Sequence, residues 1–120
     1  MLQIIPKKNA IFYVQLLDPK KEEDEKKFLE FLNEVLGYDS FGLILEVSGS
    51  KNFSLQAKKE LGLWFKKNKI ELRKNCFGFV RVKQQIVEKK LAQMKKVIPC
   101  PYFECFNEES ALKALSNKII

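Results

Sequence analysis

The chain has 120 residues, and its 22 lysine and arginine residues outnumber 15 aspartate and glutamate residues, which gives a net charge of +7 at pH 7. This length suits a single core, so we expect one α/β domain over residues 1–120. No run of about twenty apolar residues occurs and no long apolar segment follows a basic N-terminus, so we expect a cytoplasmic protein without a spanning helix or a signal peptide.

The first predicted elements are two strands joined as a hairpin. Residues 2–6 are interpreted as a short edge strand, because Pro6 removes a backbone donor from the sheet. Residues 11–17 are rich in β-branched and aromatic side chains, which favours a second strand. We expect the connection of the hairpin across residues 7–10.

A helix is predicted next, from Pro19 to the residue before Gly37. Proline suits the first helical position, acidic residues crowd the first turns, and glycine ends the helix. Apolar side chains recur at helical spacing and form the predicted core face. They are Phe28, Leu29, Phe31, Leu32, Val35 and Leu36.

An apolar strand and a long helix follow. The near-continuous apolar run over residues 41–47 predicts a central strand that is covered on both faces. Residues 55–75 show the helical period, and one face of this helix is predicted to be core. That face comprises Ala57, Leu61, Trp64, Phe65 and Leu72.

The opposite face of the same helix combines apolar and basic residues. Leu63 and Ile70 lie seven residues apart, and lysines flank them. We define the outer basic surface by Lys59, Leu63, Lys66, Lys67, Ile70 and Lys74. Two interpretations stay open: ordinary solvated lysines beside exposed apolar side chains, or a surface that docks on anionic lipid or an acidic partner.

A further strand and helix precede the closing elements. Residues 76–82 are predicted to form a strand and residues 84–96 a basic helix. The narrow apolar face of that helix comprises Val87, Leu91 and Met94. Residues 102–106 predict a short last strand, and Asn107 is a suitable N-cap for a final helix. The final helix buries Ala111, Leu112 and Leu115 in this interpretation.

Strands thus alternate with helices along the whole chain. This alternation predicts an α/β fold with an open mixed, mostly parallel sheet, an N-terminal β-hairpin and about four helices.

The positive charge is concentrated in the middle of the chain. Residues 51–75 carry eight basic residues against two acidic ones, and residues 81–96 carry six against one. Such a region attracts anionic lipid, an acidic protein or nucleic acid. Only two of the basic residues are arginine, and lysine is a poor reader of base edges, so nucleic acid is the least favoured partner.

The residues that commonly carry catalysis or metal binding are scarce. Histidine is absent, so no imidazole base exists for a serine or cysteine nucleophile. Cys76, Cys100 and Cys105 form no CxxC pair and suit free core thiols better than a zinc site or a disulfide framework. Glycine motifs that bind nucleotide phosphates do not occur. We therefore expect no enzyme, no metal and no cofactor.

The segment SGSKNFS, residues 48–54, separates the central strand from the long helix. Gly49 gives this loop conformational freedom, and Asn52 or Ser54 can cap the helix. A phosphate on a loop serine would lie at a positive helix terminus among lysines, so a regulatory switch is the alternative. Glu46 ends the strand at the edge where α/β sites gather, although an exposed strand-end charge is the favoured interpretation. The candidate binding loop comprises Glu46, Ser48, Ser50 and Ser54.

Three stretches of the chain carry a family resemblance. They are the strand and loop GLILEVSGSKNFS, the helix and strand LGLWFKKNKIELRKNCFGFVRV, and the closing turn, strand and helix IPCPYFECFNEESALKAL. Each resembles the SpoIIAA-like group of the STAS and CRAL-TRIO-like superfamily, and together they cover nearly the whole chain. The resemblance implies a single SpoIIAA-like (STAS-like) domain without classical catalysis. The better-known relatives act in partner-switching regulation or bind lipid-like ligands.

The regulatory relatives place an Asp-Ser pair followed by Gly before the helix, and a partner kinase phosphorylates that serine. Ser54 lies nearest to this position, but Phe53 precedes it, and Leu55 and Gln56 follow it. The difference favours a structural role for Ser54 over a phosphorylation switch.

These observations predict a non-catalytic regulatory or ligand-binding domain that binds a protein partner or a lipid-like ligand. The alternative is a peripheral module that docks on an anionic membrane or on nucleic acid through the basic second and third helices.

Overall fold

The computed structural model describes residues 1–18, 21–47 and 54–117. In this part of the chain, five strands form one sheet in the order β1–β2–β3–β4–β5. The strands are β1 (Leu2–Lys7), β2 (Ile11–Leu16), β3 (Phe41–Val47), β4 (Cys76–Val82) and β5 (Tyr102–Cys105). β1 is antiparallel to β2, and all other neighbours are parallel. The predicted α/β class and the mixed, mostly parallel sheet are confirmed, while the assignment of residues 1–120 to one domain stays a prediction.

Five α-helices lie within the described residues, against about four predicted. They are α1 (Glu22–Val35), α2 (Leu55–Lys67), α3 (Lys69–Asn75), α4 (Glu88–Val97) and α5 (Glu108–Ser116). The additional helix arises because the predicted helix over residues 55–75 is divided at Asn68, whose φ of −106° and ψ of 25° are not helical. Among the helices described, none has the length and apolar character needed to cross a membrane.

The predicted hairpin between the first two strands is confirmed. Its connection is a 3-10 turn, Lys8–Ala10, in which Asn9 and Ala10 have left-handed φ values of 63° and 57°. Asparagine adopts this conformation more readily than most residues, so Asn9 suits the turn chemically.

Two predicted boundaries are wrong near the C-terminal half. The helix predicted over residues 84–96 begins only at Glu88, because Val87 is extended and serves as the N-cap. Val87 is 40% exposed and does not belong to a buried helix face. The last strand ends at Cys105 instead of residue 106, because the chain turns at Phe106 towards the N-cap Asn107. Asn107 caps α5 as predicted, accepting a hydrogen bond from the Ser110 N–H at 2.8 Å.

Helices cover both faces of the sheet unequally. The larger core cluster packs buried side chains of α1, α2 and α3 against one face, with Leu91 and Met94 of α4 at its margin. The smaller cluster packs Ala111 and Leu115 of α5 against the other face. Ile44 of β3 is fully buried beneath α5, and β3 is the central strand, as predicted.

Two glycines allow α5 to approach the sheet closely. A Cβ atom on Gly42 would lie 2.6 Å from the Phe77 ring, and one on Gly78 would lie 2.3 Å from Leu115. Both distances are shorter than carbon atoms tolerate, so a side chain at Gly42 would displace the Phe77 ring and one at Gly78 would displace Leu115 of α5.

Candidate functional site

A groove of about 600 Å³ lies between α1 and the first turns of α2. We call it the α1–α2 groove and define it by Glu22, Glu25, Lys26, Leu29, Glu30, Asn33, Ser54, Gln56, Ala57 and Glu60. Four glutamates therefore face one lysine, although the whole chain is strongly basic. A concave surface lined by one sign of charge concentrates ions and side chains of the opposite sign. The α1–α2 groove is suited to a cationic group.

Ser54 joins the two helices at the end of this groove. Its Oγ accepts a hydrogen bond from the Ala57 N–H at 3.1 Å, which caps α2. Its own N–H donates to Oε2 of Glu25 in α1 at 2.7 Å. The predicted capping role of Ser54 is confirmed. A phosphate on Ser54 would place a second anion beside the Glu25 carboxylate, which is an electrostatic argument against the switch.

Trp64 fixes the spacing of the helices further along the groove. Its side chain is 7% exposed, and its Nε1–H donates to Oδ1 of Asn33 at 3.1 Å. The Trp64 ring also packs edge-on against Phe65, with centroids 5.1 Å apart. Because a buried indole and an interhelical hydrogen bond hold the walls, the α1–α2 groove is formed before any partner arrives.

Glu46 lies on the opposite face of the sheet from the α1–α2 groove. Its Oε1 accepts hydrogen bonds from the Tyr13 hydroxyl and from Nε2 of Gln15, the latter at 2.9 Å. Glu46 is half-buried, so the interpretation as an exposed strand-end charge is wrong. Burial, together with the hydrogen bond to Glu46, raises the pKa of Tyr13 well above its ordinary value. Tyr13 therefore keeps its proton at neutral pH.

The structure separates the residues of the candidate binding loop. Glu46 shares a sheet face with Ile44 and α5, whereas Ser54 lies at the N-terminus of α2 on the other face. Ser48 and Ser50 lie outside the described residues. One pocket cannot contain both Glu46 and Ser54, and a binding role for any of the four residues stays a prediction.

The outer basic surface is open to solvent in all six of its residues. Leu63 is 59% exposed and Ile70 is 79% exposed. The break at Asn68 keeps both side chains on the outside, because the backbone hydrogen bonds from Asn68 to Trp64 and from Leu72 to Asn68 continue the helical path. The role of this surface in binding stays a prediction.

A buried polar cluster near the ends of β4 and β5 was missed by sequence reasoning. Glu104 has a side chain that is 1% exposed, and it accepts a hydrogen bond from the Tyr102 hydroxyl at 2.6 Å. Arg81 is its partner in the strand register, and Nζ of Lys83 lies 3.6 Å from Oε2 of Glu104. Arg81 Nε and Glu104 Oε1 are buried without a hydrogen-bond partner among the described residues. Residues 81 and 83 are two positions apart, as are residues 102 and 104, and side chains two apart in a strand project to the same face of the sheet. This spacing could have indicated that the four side chains meet.

Burial shifts the pKa values of two groups in this cluster. It lowers the pKa of the Arg81 guanidinium and raises the pKa of Tyr102, to which the hydrogen bond with Glu104 also contributes. Tyr102 is therefore a hydrogen-bond donor at neutral pH and a poor base.

The three cysteines are free thiols, as predicted. Cys76 and Cys100 are buried, whereas Cys105 is only partly buried. The neighbouring Cys100 thiol and burial raise the pKa of Cys76, and burial raises the pKa of Cys105. Within residues 1–18, 21–47 and 54–117, no cluster of three or more cysteine, aspartate or glutamate side chains is arranged to hold a metal ion.

The sequence matches no family model and no curated protein. Among solved structures, the chain is similar to an uncharacterized protein of the DUF3478 family from Shewanella loihica PV-4, whose crystal structure has a SpoIIAA-like fold. The two share 14% sequence identity and a TM-score of 0.64, over 96% of this chain and 92% of that chain. This chain has a SpoIIAA-like fold.

The fold implied by the family resemblance is thereby confirmed. At 14% identity the similarity carries no residue role, so each site in this chain rests on its own geometry. The α1–α2 groove and the outer basic surface adjoin along α2 and have opposite charge.

Proposed function

We propose that this SpoIIAA-like domain is a non-catalytic regulatory domain that binds a basic segment of a protein partner in the α1–α2 groove. The observation that carries the proposal is the charge of the groove, in which four glutamates face one lysine in a chain of net charge +7. Lysine or arginine side chains of a partner would meet carboxylates along both walls, and Leu29 with Ala57 would supply apolar contact.

An open groove favours a protein segment over a lipid-like ligand. A lipid-like ligand is held best by an enclosed apolar cavity, which removes its chain from water. The α1–α2 groove opens to solvent and has charged walls. A second cavity, of about 280 Å³ beside Cys100 and Tyr102, also opens to solvent. An extended peptide fits such a surface, because its backbone stays partly solvated.

The non-catalytic part of the proposal is supported by the protonation of potential nucleophiles. The chain has no histidine, and the raised pKa values of Cys76 and Cys105 keep both thiols protonated at neutral pH. The raised pKa values of Tyr13 and Tyr102 remove the phenols as bases in the same range. These groups stabilise the fold through burial and hydrogen bonds.

A fluorescent peptide of alternating lysine and leucine tests the proposal by anisotropy at low and high salt. Reversing two exposed groove charges in Glu30→Lys with Glu60→Lys is expected to weaken binding by about tenfold or more. The matched control is Glu34→Lys with Glu109→Lys, which makes the same charge change at exposed positions outside the groove.

Binding that falls in the groove variant and persists in the control supports the α1–α2 groove as the site. Equal weakening of peptide binding in both variants would show that the peptide responds to the net charge of the domain, and this would contradict the proposal. Failure of the peptide to bind the unaltered domain at low salt would contradict it as well.

A further inference from the structure

We propose that the outer basic surface docks this domain on an anionic lipid bilayer, as a function separate from partner binding in the α1–α2 groove. The proposal rests on exposed apolar side chains, on the sign of the charge around them, and on a glycine that the fold does not require. Each observation concerns described residues of α2 and α3.

Two large apolar side chains point into solvent, where apolar groups are normally disfavoured. Leu63 and Ile70 are 59% and 79% exposed, and they lie two helical turns apart. Both belong to helices whose inner faces are fully occupied by the core, through Trp64, Phe65 and Leu72. The fold gains nothing from the outward pair. Apolar groups in this position can enter the boundary between lipid headgroups and acyl chains.

Positive charges outnumber negative ones around this apolar pair. Lys59, Lys66, Lys67 and Lys74 are exposed and share the outward side of the helices with Leu63 and Ile70. Two exposed glutamates border the surface: Glu60, which also lines the α1–α2 groove, precedes Leu63 by three residues, and Glu71 is next to Ile70 in sequence. Four lysines against these two glutamates leave the surface positive. The outer basic surface therefore complements a negative bilayer.

Lysine chemistry favours a lipid surface over nucleic acid. A lysine stem packs along apolar groups while its ammonium reaches outward, which suits headgroups lying beside inserted side chains. Reading of bases relies on the planar, bidentate guanidinium of arginine, and all four basic members of this surface are lysines. A bilayer also needs no pocket that matches Leu63 and Ile70 individually.

Gly62 is the third observation. It lies inside α2 between Lys59 and Lys66, is exposed, and a Cβ atom built on it would meet nothing within 4 Å. Glycine in a helix interior makes the helix less stable than alanine would. Since the space around Gly62 would accept a methyl group, packing within the domain does not explain the glycine. Gly62 lies about 100° around the helix from Leu63, at the border of the outer basic surface, where the missing side chain lets a bilayer come closer to the helix backbone.

Co-sedimentation with vesicles tests the proposal directly. We would use vesicles of phosphatidylserine and phosphatidylcholine, with pure phosphatidylcholine as the neutral control. The domain is expected to bind only the anionic vesicles, with affinity that falls at high salt.

Lys66→Gln with Lys67→Gln is expected to lower the partition coefficient by about 25-fold, since each basic residue near an anionic surface contributes about fivefold. Leu63→Ser with Ile70→Ser is expected to lower it by about tenfold.

Matched variants separate this surface from overall charge and overall apolarity. Lys89→Gln with Lys96→Gln removes the same charge from α4, where both lysines are exposed. Val97→Ser with Phe106→Ser removes two other exposed apolar groups, which are 65% and 64% exposed. Emission from the buried Trp64 checks that each variant is folded. Both control variants should bind vesicles as the unaltered domain does.

Four outcomes would overturn the proposal. The first is no binding to anionic vesicles at low salt, and the second is equal loss of binding in the α4 controls. The third is concentration-dependent self-association in light scattering that only the variants of the outer basic surface abolish, which would assign the surface to a second copy of the chain. Tighter binding to a DNA duplex than to vesicles would also decide against a bilayer.

Discussion

Single side chains fix α2 between the sheet and α1. Trp64 shows which contacts could be predicted, because its helical spacing from Leu61 and Leu72 placed it on the core face. The environment of Glu46 could not be predicted in this way. Its partners Tyr13 and Gln15 lie on another strand, more than 30 residues earlier in the chain, and only the parallel register brings them together.

Trp64→Ala is expected to destabilise the domain by about 3 to 5 kcal/mol, because it removes a buried aromatic side chain and its hydrogen bond to Asn33. Denaturant unfolding measures the change. The adjacent Leu63→Ala should stay within about 0.5 kcal/mol, since Leu63 is exposed. A loss below about 1 kcal/mol for Trp64→Ala would show that the indole does not support the core.

Gly62→Ala is expected to raise the free energy of unfolding by about 0.5–1 kcal/mol, because the helix gains propensity and the new methyl group meets nothing. The matched change Gly78→Ala should destabilise instead, since its Cβ would lie 2.3 Å from Leu115. Thermal unfolding compares the two variants. A stabilising Gly78→Ala would mean that α5 does not press on β4 as described.

Tyr13 gives a prediction for alkaline pH. Burial raises its folded-state pKa above the unfolded value of about 10, so its protonated form is favoured in the fold. The stability that this provides is complete below about pH 10 and is lost as pH rises from there towards the folded-state pKa. The free energy of unfolding should therefore fall more steeply above about pH 10 in the unaltered domain than in Tyr13→Phe. Identical slopes in denaturant titrations would contradict the assignment.

The elements of the fold were easier to predict than their ends. The spacing of apolar residues correctly predicted β3, β4 and the core face of the second helix, because these patterns extend over seven residues or more. The division at Asn68 depends on one side chain, whose Nδ2 donates to the Trp64 carbonyl at 3.0 Å. The late start of α4 depends on the extended backbone at Val87, which the apolar spacing of Val87, Leu91 and Met94 concealed.

The start of α2 provides a test at the scale of one helix. Ser54→Ala removes the side-chain acceptor for the Ala57 N–H and is expected to cost about 1 kcal/mol. Ser54→Asp keeps an acceptor for the cap but adds a negative charge beside Glu25, so it should recover less stability than an N-cap aspartate usually provides. Chemical unfolding of both variants measures the difference. Full stability of Ser54→Ala would show that another group caps α2.

Across the whole molecule, charge is segregated around α2. Glu60 of α2 and three glutamates of α1 line the α1–α2 groove, and the lysines of the outer basic surface lie beside Glu60 on the solvent side of α2. The sequence indicated the basic side through the spacing of Leu63, Ile70 and the lysines. It did not indicate the groove, because the glutamates come from α1 and α2 and meet only when α1 packs beside α2.

The two proposals place a partner and a bilayer on adjoining surfaces of α2. Glu60 of the α1–α2 groove lies one helical turn from Leu63 of the outer basic surface. A basic partner segment would be repelled by the lysines and attracted by the groove. Under the proposal, charge would orient the partner before contact is made.

Backbone amide chemical shifts of the isotope-labelled domain, recorded during titration with the lysine and leucine peptide, test the central claim most directly. The account predicts perturbations grouped in α1 from Glu22 to Asn33 and in the first turns of α2 from Ser54 to Glu60. Amides of α4 and of the outer basic surface over residues 63–74 should keep their positions. Perturbations centred on α4 or on the outer basic surface, or no perturbation at low salt, would contradict the α1–α2 groove as the partner site.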